Sequence, residues 1–210
     1  MSDPRAAHLE LASRLAARLC HDFVGPAGGI VSGLDMLAGA PPGELRDAAL
    51  EMVDVGARKL LALITFSRVA FGRGDEGFDT GALEGLARGL FSDLRPSLDW
   101  SVEARSLAGP AARTLLNLVQ IAADAVAVGG NARAWAGLSG RTVHLGVDAL
   151  GPRAKLLPQV HSGLKGEPPG EGLSGRWAQA YFVYSTVAAA GGEVGAQAGE
   201  AQISFTATFP

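Results

Sequence analysis

The chain has a single cysteine, Cys20, which excludes a disulfide framework and any cysteine-based zinc site. Its four histidines, His8, His21, His144 and His161, are scattered, and no H-x-x-x-H pair could share a metal on one helix turn. Positive charge is scarce too: the formal net charge is −3, and Arg58-Lys59 is the one adjacent basic pair. A nucleic-acid-binding surface needs clustered Lys and Arg, so nucleic acid is excluded as a partner. No stretch approaches the ~20 apolar residues of a membrane span. The opening MSDPRAAHLE lacks the apolar core of a signal peptide. The chain is therefore expected to be cytoplasmic and to have no membrane partner. What remains is 210 residues, 48% hydrophobic and 19% charged, with 29 glycines that follow no collagen period. That is too apolar for a disordered chain and long enough for one large domain or two small ones.

From Arg5 to Ala38, apolar residues recur at Leu11, Leu15, Leu19, Phe23, Ile30, Leu34 and Leu37, in the three, four and seven steps of an amphipathic helix. Gly39-Ala40-Pro41-Pro42-Gly43 stops it, because proline cannot continue a helix and forces its predecessor into extended geometry. A second helical pattern runs from Glu44 through Leu45, Ala49, Met52, Leu60, Leu63 and Phe66 to about Ala70. Two helices of roughly 40–50 Å joined so briefly must fold back as an antiparallel hairpin. A lone hairpin leaves apolar stripes uncovered, so a homodimer closing a two-fold four-helix bundle is expected.

Phe71–Gly77 reads as a linker, rich in glycine and charge. Beyond it helix and strand alternate: helices are expected over Asp79–Leu94, Ala111–Val128 and Arg176–Ala190. Strands are expected over Leu98–Ala104, Arg133–Leu138, Thr142–Leu150, Glu193–Ala196 and Gln202–Phe209. The expected fold is α+β, with a helical hairpin over residues 1–72 and an α/β sandwich over 78–210, one sheet faced by helices.

His21 lies mid-way along the first helix, about 200° from the Leu19 and Phe23 stripe, and so points outward. Gly25 and Gly28 flank it, and each helical glycine costs ~1 kcal/mol against alanine. Close approach of another protein would account for them. Imidazole is partly neutral at pH 7 and nucleophilic without help, which suits phosphoryl transfer. Asp22 could orient the ring by accepting one N–H, and Arg18 could offset charge on a phosphoryl group. An outward His beside an Asp is also an ordinary solvated surface pair. Cys20, at about 100° from His21, forms no dyad with it and is expected to be a small buried hydrophobe. Gly25-Pro26-Ala27-Gly28-Gly29 follows no strand and is no phosphate loop; helix-interior glycines with a kink at Pro26 fit better.

His21-Asp22-Phe23-Val24-Gly25-Pro26 resembles the H-[DE]-x-x-x-P phosphoacceptor box of dimeric sensor histidine kinases. Leu116-Asn117-Leu118-Val119-Gln120-Ile121-Ala122 resembles the asparagine box of their ATP-binding domain, and Gly170-Glu171-Gly172-Leu173-Ser174-Gly175 a late glycine box. The departures are specific. Ile121 stands where the family's Mg²⁺-holding asparagine belongs, and Ala149 where its adenine-reading aspartate belongs. Asp148 is one residue out of register, which on a strand reverses the face. Each loss leaves polar nucleotide groups unpaired, so ATP is not expected to bind.

A kinase-like scaffold with its phosphoacceptor box present and its ATP pocket degraded resembles the ChpT-type histidine phosphotransferases, which also open Leu-Cys-His-Asp as Leu19–Asp22 do. The resemblance implies a homodimer in two-component signalling that relays phosphoryl groups through His21, with Asp22 and Arg18 in support. It takes them from the receiver domain of a hybrid kinase and gives them to the receiver of a response regulator in cell-cycle control. Phe23, Val24, Gly25 and Gly28 would form the docking surface. No cofactor is implied for this chain, Mg²⁺ coming from the receiver. Gly25 stands where kinases with phosphatase activity carry Thr or Asn, so weak phosphatase activity at most is expected. Two alternatives stay open: a non-catalytic dimeric adaptor for receivers, and an ATP-dependent kinase.

Overall fold

A computed structural model describes residues 4–74, 76–168 and 175–210. Helix α1 (Pro4–Gly39) runs unbroken through Pro26, and α2 (Glu44–Ala70) returns antiparallel beside it. The turn between them depends on Gly43, whose φ of +136° is one that L side chains rarely adopt.

Two glycine notches, seven residues apart on each helix, let the hairpin close. At Gly33 an added Cβ would lie 2.9 Å from the Ala49 carbonyl oxygen, and at Gly56 3.0 Å from that of Pro26 and 2.9 Å from Ile30 Cγ1. Backbone cannot yield there as a long side chain would. Gly56→Val is expected to destabilise the protein by about 1–3 kcal/mol in thermal melts, from overpacking. Gly25→Ala, with nothing among the described residues within 4 Å of the new Cβ, should instead stabilise by up to about 1 kcal/mol from helix propensity.

The second layer carries α3 (Thr80–Phe91), α4 (Gly109–Ala125), α5 (Pro158–Leu164) and α6 (Gly175–Ala189), with strands β2 (Ser97–Val102), β4 (Asn131–Ser139), β5 (Thr142–Leu150), β6 (Glu193–Gly199) and β7 (Gln202–Phe209). The sheet order is β2-β4-β5-β7-β6, with β2 parallel to β4 and the other pairs antiparallel. Two-residue strands β1 (Phe78–Asp79) and β3 (Ser106–Leu107) form a separate antiparallel pair. Helix α4 is apolar almost all round and is buried accordingly: Leu115, Leu118, Val119 and Ala122 join Leu145, Val147, Ile203 and Phe205 in one core. Phe66 and Ala70 at the end of α2 belong to that core, so the hairpin is packed into the sandwich at its foot.

The α+β architecture and the order of its main elements are as expected, and the differences have local causes. Helix α3 starts one residue later than expected because Asp79 is its N-cap, accepting from the Ala82 amide at 2.9 Å. Helix α4 starts earlier because Pro110 occupies its first turn. Helix α5 lies in a Gly- and Pro-rich stretch too short to show a period, and β1 and β3 are set by their pairing. Phe71–Gly77 is no free linker: Asn117 Nδ2 donates to the Ala70 carbonyl at 2.8 Å, and Arg113 Nη1 to that of Gly74 at 2.6 Å.

Cys20 is exposed, not buried. It stands on an outward stripe with Val24, Val31 and Leu34, matched on α2 by Leu50, Ala57, Leu61 and Ile64. Leu34, Leu45 and Met52, counted above as inward apolar positions, are also exposed.

Candidate functional site

Helix α1 presents His21 with 89% of its side chain exposed. Its Nδ1 lies 3.4 Å from Asp22 Oδ1, at the long limit of a hydrogen bond. In the tautomer protonated at Nδ1 the ring donates to Asp22, and Nε2 keeps its lone pair for attack.

Asp22 also lies 3.7 Å from Arg18 Nε, one turn earlier. Arg18 is 11% exposed at its side chain and does not reach out to His21. Its Nη2 lies 3.6 Å from Asp124 Oδ2 at the end of α4, which also accepts from Arg176 Nε at 3.2 Å. This close approach of α1 and α6 needs Gly175, where a Cβ would sit 2.9 Å from the Arg18 Cβ.

His21, Asp22, Arg18 and Gly25 line one wall of a cleft of about 980 Å³ between the hairpin and the sandwich. Gln120, Asp124 and Arg176 line the facing wall, and Met52, Val55, Leu63, Leu90 and Leu94 supply apolar surface. Lys59 bridges to Asp93 at 3.5 Å across it.

Of the four expected docking residues, Gly25 faces the cleft. Gly28 and the 67%-exposed Val24 lie on the other flank of the His21 face. Phe23 does not share that face: at about 200° from His21 it is half-buried on the far side of the helix, so its place in the docking surface is withdrawn. A Cβ at Gly25, Gly28 or Gly29 would meet nothing within 4 Å among the described residues, so packing against those residues does not explain these glycines. Asp124 escaped the sequence reading, although Arg113, Asn117, Gln120 and Asp124 form a polar stripe, at spacings of four, three and four, on a mainly apolar helix.

The positions that resemble a nucleotide site are otherwise engaged. Ile121 and Ala149 are buried in the core. Asp148 is on the opposite sheet face, held by Arg133 Nη2 at 2.9 Å and Ser204 Oγ at 2.7 Å. Beneath Ile121 the described residues leave a cavity of about 10 Å³, lined by Asp124, Lys155, Leu156, Leu157, Val160 and Phe205. Small-molecule sites run to about 300 Å³ and more. Gly170-Glu171-Gly172-Leu173-Ser174 lies outside the described residues.

Residues 80–202 match the family described as "Histidine phosphotransferase C-terminal domain". The curated protein phosphotransferase ChpT of Brucella abortus (strain 2308) is 27% identical over 205 residues, 95% of each chain. A solved bacterial phosphotransferase superposes with a TM-score of 0.83 at 26% identity, covering 95% of this chain and 96% of that one. In fold alone the chain also resembles histidine kinase ThkA, solved in complex with response regulator protein TrrA. That match has a TM-score of 0.51 at 16% identity and covers 99% of this chain and 64% of that one.

Proposed function

Because this chain belongs to the histidine phosphotransferase family, we propose that it relays phosphoryl groups between receiver-domain aspartates through a phosphohistidine at His21. The observation that carries the reading is an outward imidazole, 89% exposed and backed by Asp22, at the edge of a cleft of about 980 Å³ between the hairpin and the sandwich. A receiver docks over Gly25 and Gly28, which keep the helix surface low, and presents its phosphoaspartate in line with His21. The Nε2 lone pair forms the N–P bond as the aspartyl O–P bond breaks, and the carboxylate leaves as an anion; Nδ1 keeps its proton. Return to a second receiver reverses the step. The donor is the receiver of a hybrid kinase and the acceptor that of a response regulator.

ATP is not a substrate in this reading, which the buried Ile121 and Ala149 and the engaged Asp148 support. Mg²⁺ comes from the receiver. The outward stripes of α1 and α2 support a homodimer that covers them in a four-helix bundle. Among the described residues no helix is long and apolar enough to cross a membrane.

The test is labelled transfer: the protein is incubated with γ-labelled ATP alone, or with a pre-phosphorylated receiver. Acid-labile, alkali-stable label is expected from the receiver only. Label from ATP alone would make the chain a kinase, and none from several receivers would leave a non-catalytic adaptor.

A further inference from the structure

The Asn117, Gln120 and Asp124 stripe on α4 does more than line the cleft. Asp124 is at the cleft with Arg18 and Arg176, Gln120 is one turn deeper, and Asn117 is fully buried at the foot. Asn117 Nδ2 donates to the carbonyls of Ala70, the last residue of α2, and of Arg113, at 2.8 and 2.9 Å. Its Oδ1 accepts from Gln179 Nε2 at 3.0 Å, and Gln179 also donates to Gln120 Oε1 at 2.7 Å. Gln179 is fully buried too and lies one turn along α6 from Arg176. One turn before Asn117, Arg113 is buried and donates to Gly74.

The segment leaving the hairpin is thus held at two carbonyls by α4, and the same stripe sets α6, with Arg176, against the cleft. Ala70 is among the last four carbonyls of α2, which have no partner within their own helix. Asn117 supplies that partner from another element, so the bond fixes orientation as well as satisfying the carbonyl.

We propose that Asn117, with Arg113 and Gln179, is a positioning latch. It sets the sandwich against the foot of the hairpin so that the Asp124–Arg176 corner stands at a fixed distance from His21. Its effect is on how a receiver is seated, and it never touches the phosphoryl group. The functional consequence rests on the phosphotransfer reading; the latch itself is read independently.

The experiment compares the full chain with Asn117→Ala. Two readouts are used: trypsin cleavage after the exposed Arg73, and steady-state transfer from a receiver that labels the wild type. Cleavage after Arg73 should accelerate about tenfold through local opening, while cleavage after exposed Arg141, in the β4–β5 turn, stays constant. The KM for the receiver should rise about fivefold or more, with kcat within about twofold. Arg113→Met, which frees Gly74 alone, should shift both readouts in the same direction by less and serves if Asn117→Ala does not fold. Unchanged Arg73 cleavage, or a lower kcat at constant KM as partial unfolding would give, overturns the proposal. If the wild type takes label from no receiver, the phosphotransfer reading fails and Arg73 cleavage alone decides the latch.

Discussion

Replacing His21 by alanine is expected to reduce label accepted from a phosphorylated receiver by more than about a hundredfold, to the limit of detection, because no covalent intermediate forms without its nucleophile. The fold should be untouched. The side chain is 89% exposed and its one polar contact among the described residues is the long approach to Asp22, so the melting temperature should not move. Asp22→Asn keeps the imidazole and most of the shape but loses the charge shared with Arg18, so it should slow transfer by about ten- to a hundredfold without abolishing it. Gel autoradiography with an acid-treated control separates the outcomes. Label persisting in His21→Ala, or label stable to acid, would place the acceptor elsewhere. His8, His144 and His161 would be next to test for acid-labile label, and hydroxyl side chains for label stable to acid.

The dimer gives the second large effect. Val24, Val31 and Leu34 on α1 and Leu50, Leu61 and Ile64 on α2 are large apolar side chains exposed on one chain. Each is already about half covered in the single chain, so burying the rest contributes about 1 kcal/mol, and the twelve of a symmetric seam together contribute on the order of 10 kcal/mol against the 4–15 kcal/mol that association costs. Light scattering should therefore give twice the mass of one chain. Leu61→Glu, at a position 66% exposed in the single chain, carries two carboxylates into that seam. It should raise the dimer dissociation constant by more than about a thousandfold, since each buried unpaired charge costs several kcal/mol and each 1.4 kcal/mol is tenfold. Far-UV circular dichroism should not change, because Leu61 makes no part of the intrachain core. A monomeric wild type, or a Leu61→Glu protein that stays dimeric, would sink this assembly. Cys20 lies on the same stripe. An apolar period marks a residue for burial only where an element covers it, and among the described residues none covers Cys20.

Periodicity carried much of the fold. The 3.6-residue pattern ended at Pro41-Pro42 and resumed at Glu44, and α2 spans the expected Glu44–Ala70. The alternation of Val143, Leu145 and Val147 placed β5 at Thr142–Leu150. His21 was legible because its angle from the apolar stripe follows from helix geometry alone. The same arithmetic removes Phe23 from the His21 face.

Local chemistry thus determined the hairpin, the alternation of helix and strand, and the outward histidine. These follow from spacing along one element, where backbone geometry fixes direction. Tertiary structure alone decided that Arg18 meets Asp124, 106 residues on, that Gly175 admits the contact, and that Asn117 ties down Ala70. Each of these depends on how two elements distant in sequence are brought side by side. Spacing within either element shows that a polar or small residue has a partner to find, and packing alone sets which partner comes within hydrogen-bonding reach.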